Sequence, residues 1–204
     1  MNCLPFRLGL FLTAALISAC GTSPPVHFYT LEPSGVPGTS NEKNAVVLGM
    51  GPLRVPDYLK RTQMVTRGDG SEVVVHEQDR WAEPVGRAMY RVLAANVDSQ
   101  LDGVIVIGYP YLEPVQTQYV VIGQVDRFDS DASGHVLLQV QWAIVQTDSE
   151  RPLVRPQRVR YEAQAGQPVD PNTIALAMNQ ALVKFSDDIA SQLREALAAA
   201  GDAQ

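Results

Sequence analysis

The chain has 204 residues, 46% of them hydrophobic and 19% charged, with a formal net charge of −6 and an isoelectric point near 5.0. That is enough apolar material to build a sizeable core in one ordinary domain, which excludes disorder as a description of the whole chain. The charge has the wrong sign for a nucleic-acid binder, which needs a surplus of Lys and Arg to displace counterions from phosphates.

Residues 1–7 carry one cation, Arg7, and residues 8–17 form an apolar run too short to span a bilayer, the pattern of a signal-peptide core. The run closes on Leu16-Ile17-Ser18-Ala19-Cys20, an aliphatic residue and two small ones ahead of a cysteine, which resembles a bacterial lipobox. The resemblance implies cleavage before Cys20, diacylglyceryl attachment to its thiol and acylation of the new amino group. The bland alternative is an ordinary secreted protein cut after Ala19, with an incidental cysteine. More than one acyl chain is what makes anchoring stable, since a single chain holds with K of only about 10⁴ M⁻¹. Loss of Arg7 with residues 1–19 leaves 15 basic against 22 acidic side chains, so the mature body repels anionic lipid. By resemblance to Gram-negative sorting signals, Gly21 in place of Asp favours the outer membrane. The cysteines Cys3 and Cys20 both precede the body, which can therefore hold neither an internal disulfide nor a cysteine-based zinc site.

Residues 20–26 read as a lipidated tether; its stretch from Gly21 to Pro25 reaches about 17 Å at roughly 3.3 Å per residue. Residues 27–204 read as one domain. His27 to Leu31 is aromatic and β-prone, and residues 32–44, rich in Pro, Gly and Ser, form a loop. Residues 45–50 predict a buried strand, after which Pro52 and Pro56 confine the chain to an extended route. Strands over 63–67 and 72–77 flank the hairpin signal Gly68-Asp69-Gly70-Ser71. Trp81, Val85, Ala88, Met89, Val92 and Leu93 recur at helical spacing, with Pro84 admissible at the helix start. The continuous apolar run 104–111 predicts a strand covered on both faces, ended by Pro110. Residues 119–128 and 136–145 flank a turn-forming segment and predict a long antiparallel hairpin, with Val136, Leu138, Val140, Trp142 and Ile144 on one face. Residues 158–163 add a strand with Val159 and Tyr161 inward. Asp170-Pro171 caps a long amphipathic helix whose buried stripe is Ile174, Met178, Leu182, Phe185, Ile189 and Leu193. The fold class that follows is α/β in the α+β sense: a mixed or antiparallel sheet with a long hairpin, packed by a central and a C-terminal helix.

Catalytic and cofactor motifs are absent. The histidines are His27, His76 and His135, each read as a strand-end residue, and no Gly-x-Ser-x-Gly elbow occurs. Asp129-x-Asp131-x-Ser133-Gly134 matches the first half of a calcium loop, but Val140 stands where the bidentate Glu belongs, so a hairpin turn explains it better. No Gly-x-Gly-x-x-Gly opens a helix, which removes dinucleotide and P-loop sites. Catalytic, cofactor and metal sites are accordingly read as none. Arg151, Arg155, Arg158 and Arg160 could meet an acidic partner or a lipid headgroup, although a solvated strand face is the default reading.

Several segments together resemble the PqiC-type family of auxiliary lipoproteins that accompany ABC transporters and MCE-domain proteins. They are Phe28-Tyr29-Thr30-Leu31, Pro56-Asp57-Tyr58-Leu59-Lys60-Arg61 with Met64-Val65, Arg80-Trp81-Ala82-Glu83-Pro84, Arg127-Phe128-Asp129 and Trp142. Lys60 departs from the acidic residue the family often carries there, so no charge contact transfers to that position. The resemblance implies helices packed on a mixed sheet, no catalytic residue, and a docking or scaffold role in lipid traffic between membranes. Its implied partners are MCE-domain and ABC transporter subunits, the outer membrane through Cys20, and further copies of the chain. Tyr58, Leu59 and Arg61 are the expected partner surface, because prolines deny their segment regular pairing while it displays an aromatic, an aliphatic and cations. A stand-alone periplasmic lipid or small-ligand carrier is the alternative function, and a periplasm-facing enzyme a further one. A deep apolar cavity would favour the carrier, and convergent titratable groups the enzyme.

Overall fold

Alternation of apolar and polar residues builds a single mixed sheet of eight strands, backed by two helices. The structure is a computed structural model and describes residues 24–36, 45–111, 115–148 and 152–201. The strands are β1 (His27–Tyr29), β2 (Val46–Arg54), β3 (Gln63–Arg67), β4 (Val73–Trp81), β5 (Val104–Gly108), β6 (Tyr119–Asp131), β7 (His135–Gln146) and β8 (Pro152–Gln164). The helices are α1 (Val85–Asp98) and α2 (Pro171–Gly201), and a 3-10 turn covers Asp57–Leu59.

The strand order is β1-β4-β3-β6-β2-β5, with β7 added to the other side of β6 and β8 to β7. Strand β6 is the trunk of the sheet. One of its edges pairs along its length with β7. Its other edge is shared, first with β2 from Leu48↔Tyr119 to Arg54↔Gln124, then with β3 at Thr66↔Ser130 and Arg67↔Asp131. The chain between β2 and β3 carries the 3-10 turn.

Both helices pack on one face, α1 against β2, β5 and α2, and α2 against β6, β7 and β8. The inward set of β7, namely Val136, Leu138, Val140, Trp142 and Ile144, is buried, as is the α2 stripe of Ile174, Met178, Leu182, Phe185, Ile189 and Leu193. The Trp142 and Phe185 rings meet edge to face with centroids 5.5 Å apart, and Tyr161 stacks on Phe185 at 5.2 Å. Asp170 caps α2 reciprocally: Thr173 N donates to Asp170 Oδ1 at 2.8 Å, and Asp170 N donates to Thr173 Oγ1 at 2.9 Å. Helix α1 begins at Val85 with Pro84 as its N-cap, where a missing N–H costs nothing. The predicted fold class is found, and Trp142 and Phe185, read on the inward faces of the 136–145 strand and of the C-terminal helix, share one interior.

Three local expectations are corrected. Strand β5 is not covered on both faces; it is a sheet edge and most of it is half-buried, its apolar run serving the α1 contact on one side only. Strand β2 does not stop at Met50 but continues through Pro52 to Arg54, because a register shift between Met50 and Leu53 absorbs the proline. Gly51 takes φ +102° there, and a Cβ on it would lie 2.8 Å from Tyr90 Cε1, so both backbone and space require glycine. Strand β4 runs on to Trp81, which places His76 in mid-strand rather than at an end, with its Nε2 2.9 Å from Thr66 Oγ1.

Candidate functional site

The expected partner segment meets the sheet at Asp129. A bulge between Val125 and Arg127 resets the alternation of β6, so that Phe128 points into the core while Arg127 and Asp129 take the face away from the helices. The Asp129 side chain is nonetheless only 1% exposed, because the 3-10 turn closes over it. Tyr58 Oη donates to Asp129 Oδ2 at 2.6 Å and accepts from Phe128 N at 3.2 Å. Arg67 Nε donates to the same Oδ2 at 3.1 Å, and Arg127 Nε to Oδ1 at 2.7 Å. The Arg67 guanidinium also lies 5.0 Å from the centre of the Tyr58 ring. Burial, then the bond to Asp129, pushes the Tyr58 hydroxyl up to about 12. A carboxylate met by three donors and a phenol that stays neutral make a tie between the turn, β3 and β6.

A second tie joins the start of the body to α1. Ala82 N donates to Tyr29 O at 2.8 Å, and Tyr29 Oη to Asp79 Oδ1 at 3.0 Å. Arg91 Nη2 donates both to Leu31 O and to Glu83 Oε1, each at 2.6 Å. Leu31 and Trp81 are buried beneath.

Two mainly apolar grooves open at the surface. One, of about 540 Å³, runs between α1 and the edge strand β5, past Arg87, Tyr90, Ile105 and Tyr109. Tyr90, Tyr109 and Tyr111 contact edge to face at 5.8 and 5.6 Å beside it. Asp98 Oδ1 accepts from Val106 N at 3.1 Å and so occupies a donor of the β5 edge. The other groove, of about 400 Å³, lies on the opposite face of the sheet among Pro52, Ile122, Ala143 and Pro156.

The family model for the ABC-type transport auxiliary lipoprotein component matches residues 29–190. The chain belongs to that family. It is similar to the "Intermembrane transport lipoprotein PqiC" of Escherichia coli (strain K12), 26% identical over 111 residues, and equally to the protein of the same name from Shigella flexneri. Each match takes in 54% of this chain and 57% of the relative, so the chain spans little more than half the length of the curated relatives it matches. The fold is shared with protein XCC0632 from Xanthomonas campestris at a TM-score of 0.64 and 15% identity, covering 87% of this chain and 99% of that one. A crystal structure titled "uncharacterized protein" superposes at 0.68 and 20% identity, covering 83% and 99%.

Within this family fold the predicted site residues scatter. Cys20, the expected lipid-attachment residue, lies outside the described residues. Leu59 is 3% exposed and belongs to the core, not to a surface, and Tyr58 is half-buried with its hydroxyl committed to Asp129. The prolines that exclude this segment from the ladder let it plug the gap between β2 and β3, where its large side chains turn inward. Of the three residues only Arg61 stands exposed. Asp131 caps the β6–β7 turn, accepting from Ser133 N, Ser133 Oγ and His135 N at 2.9, 2.6 and 3.0 Å. Burial alone would raise its carboxyl; the Ser133 and His135 bonds outweigh that and hold it below the usual range. His27 and His135 stand at strand starts on separate strands, far in the sheet order from each other. Among the described residues no group of three or more His, Cys, Asp or Glu side chains could hold a metal ion, and no helix is long and apolar enough to cross a membrane. Sequence reasoning missed the role of Asp129. Its signal was the Arg127-Phe128-Asp129 triplet, in which an inward aromatic puts two opposite charges on the far face.

Proposed function

We propose that the protein is a non-catalytic outer-membrane lipoprotein subunit of an ABC/MCE-type intermembrane lipid transport system, acting as a docking or scaffold component. The observation that supports this most is the extent of the family match, residues 29–190, over a body whose motif residues form ties within the fold. In this reading residues 1–19 are the removed signal peptide, 20–26 the tether and 27–204 the working domain, held at the membrane by acyl chains on Cys20. Its partners are MCE-domain and ABC transporter subunits and further copies of itself, with Arg61 as the part of the 56–61 segment left free to meet them. The carrier alternative has less support, since the two grooves are surface features rather than an enclosed chamber able to shield an acyl chain.

Two measurements test it. Metabolic labelling with a radioactive fatty acid should mark the wild type and not Cys20→Ala, and Cys20→Ala should leave the outer-membrane fraction after a high-salt wash. Affinity purification of the wild type from gently solubilised membranes should retain MCE-domain and transporter subunits. An unlabelled wild type would refute the anchor, and recovery of the chain without those subunits under conditions that keep other membrane complexes intact would refute the docking role.

A further inference from the structure

We propose that the face of the sheet turned away from the helices binds an acidic, extended segment of a partner protein, of the pattern apolar-x-acidic-x-acidic. This rests on the docking role above and names the chemistry of what docks. The face is organised in cross-strand rows. Arg54 pairs with Gln124, Gln124 with Gln141 and Gln141 with Arg158, an arginine closing each end of a row four strands wide, or about 14 Å. The next row is Arg127, Gln139 and Arg160. Asp126 sits between them and accepts from Gln141 Nε2 at 3.2 Å, with Arg158 Nε at 3.5 Å. Arg54 and Arg160 are exposed and have no hydrogen-bond or ion-pair partner among the described residues. Four arginines thus share this face with Asp126, with the buried Asp129 that holds Arg127 and, one row further, with Glu162; Arg54 and Arg160 remain unpaired among the described residues, on a chain whose net charge is −6.

Beside the first row lies the apolar groove, with Ile122 37% exposed and paired across the strands with Ala143. Measured along β7, the outward positions Ala143, Gln141 and Gln139 mark the groove, the first row and the second row. They repeat every two residues, or about 6.8 Å. An extended chain laid along β7 repeats its own same-face side chains at the same interval, so its first such residue enters the groove and the next two reach the arginines. Charge complementarity favours acidic side chains there, and Arg offers carboxylates two parallel donors. A polypeptide fits better than a bilayer, because a lipid surface would meet the whole net-negative body and not this face alone.

The test uses the full chain in detergent micelles and a fluorescein-labelled peptide Gly-Leu-Ser-Glu-Ser-Glu-Gly, followed by fluorescence polarisation at low ionic strength. The expected result is saturable binding that weakens with added salt and falls at least tenfold in R54E/R160E. The same peptide with Lys for Glu should not bind. Ile122→Ser should weaken binding without changing its salt dependence. Because neither arginine has a partner within the described fold, the urea midpoint of R54E/R160E should match the wild type. Equal binding by R54E/R160E, or by the lysine peptide, overturns the proposal. So does arginine-dependent sedimentation of the Cys20→Ala chain with phosphatidylglycerol-containing vesicles when the acidic peptide fails to bind, which would assign the face to lipid. If R54E/R160E still assembles with transporter subunits and binds the peptide unchanged, this surface is wrong and the docking role stands. Arginine-dependent peptide binding without any such assembly keeps the surface and removes the role.

Discussion

Removing the carboxylate at Asp129 should loosen the turn that seals the sheet. In Asp129→Ala the Tyr58 hydroxyl loses a charged acceptor at 2.6 Å inside a half-buried site, a bond of a kind worth about 1.5–3 kcal/mol. Arg67 and Arg127 lose their partner too, but their side chains are 29% and 31% exposed and can rehydrate, so each contributes only about 0.5–1 kcal/mol. The expected destabilisation is about 2.5–5 kcal/mol. That overlaps the roughly 3–5 kcal/mol typical of a buried pair broken on one side, with the lower end reached where water solvates both cations. Urea unfolding at neutral pH reads it as a lower midpoint at unchanged slope. The cycle with Tyr58→Phe isolates the tie: this change should cost about 2–3 kcal/mol in the wild type and only about 0.5–1 kcal/mol, the remaining bond from Phe128 N, once Asp129 is Ala. If Tyr58→Phe costs the same in both backgrounds, or Asp129→Ala costs less than about 0.5 kcal/mol, the three-donor tie is not what holds the 3-10 turn.

Truncating Trp142 or Phe185 to Ala should each cost about 3–5 kcal/mol by denaturant unfolding, and the two losses should fail to add, since the rings touch at 5.5 Å. Asp170→Ala should remove about 0.5–2 kcal/mol by stripping the α2 cap, whereas Asp170→Asn should recover most of it. Burial pushes the hydroxyls of Tyr58 and Tyr111 up to about 12, above the usual value near 10. Groups raised on folding stabilise fully below their unfolded value, so this contribution is intact up to about pH 10 and disappears as pH climbs through 12. Absorbance at 295 nm should therefore show fewer ionised tyrosines near pH 11 in the native chain than in the urea-unfolded one, and Tyr58→Phe should shrink the late-titrating fraction.

What the sequence revealed and what it hid divide along a physical line. The β7 alternation, the Asp170 cap and the α2 stripe depend on neighbours within a few positions, and each is found in place. Strand order does not. Nothing near residues 104–108 indicates that β5 ends up at an edge, because its partner β2 lies more than fifty positions earlier, and an apolar run reads alike whether one face or two are covered. Pro52 argued locally for an end to β2, and only the space beside Tyr90 and the freedom of Gly51 let the strand continue. Tyr58 and Leu59 are the sharper case. An aromatic and an aliphatic residue in a proline-bracketed segment describe a docking patch and a plug equally well, and the difference is whether an unpaired stretch of trunk strand waits beneath them.

Strand β1 gives the body a mechanical property. Any pull arriving from residues ahead of it enters the domain through three residues paired in parallel with β4, too few backbone bonds to resist much by themselves. The strain is handed on at once, by Tyr29 to Asp79 and, through the Leu31 carbonyl, to Arg91 and so to α1. Helix α1 rests on β2 and α2 rather than on the face bearing the arginine rows. A pull entering through β1 is therefore divided between β4, which stands two places from the trunk β6 in the sheet order, and the helical layer.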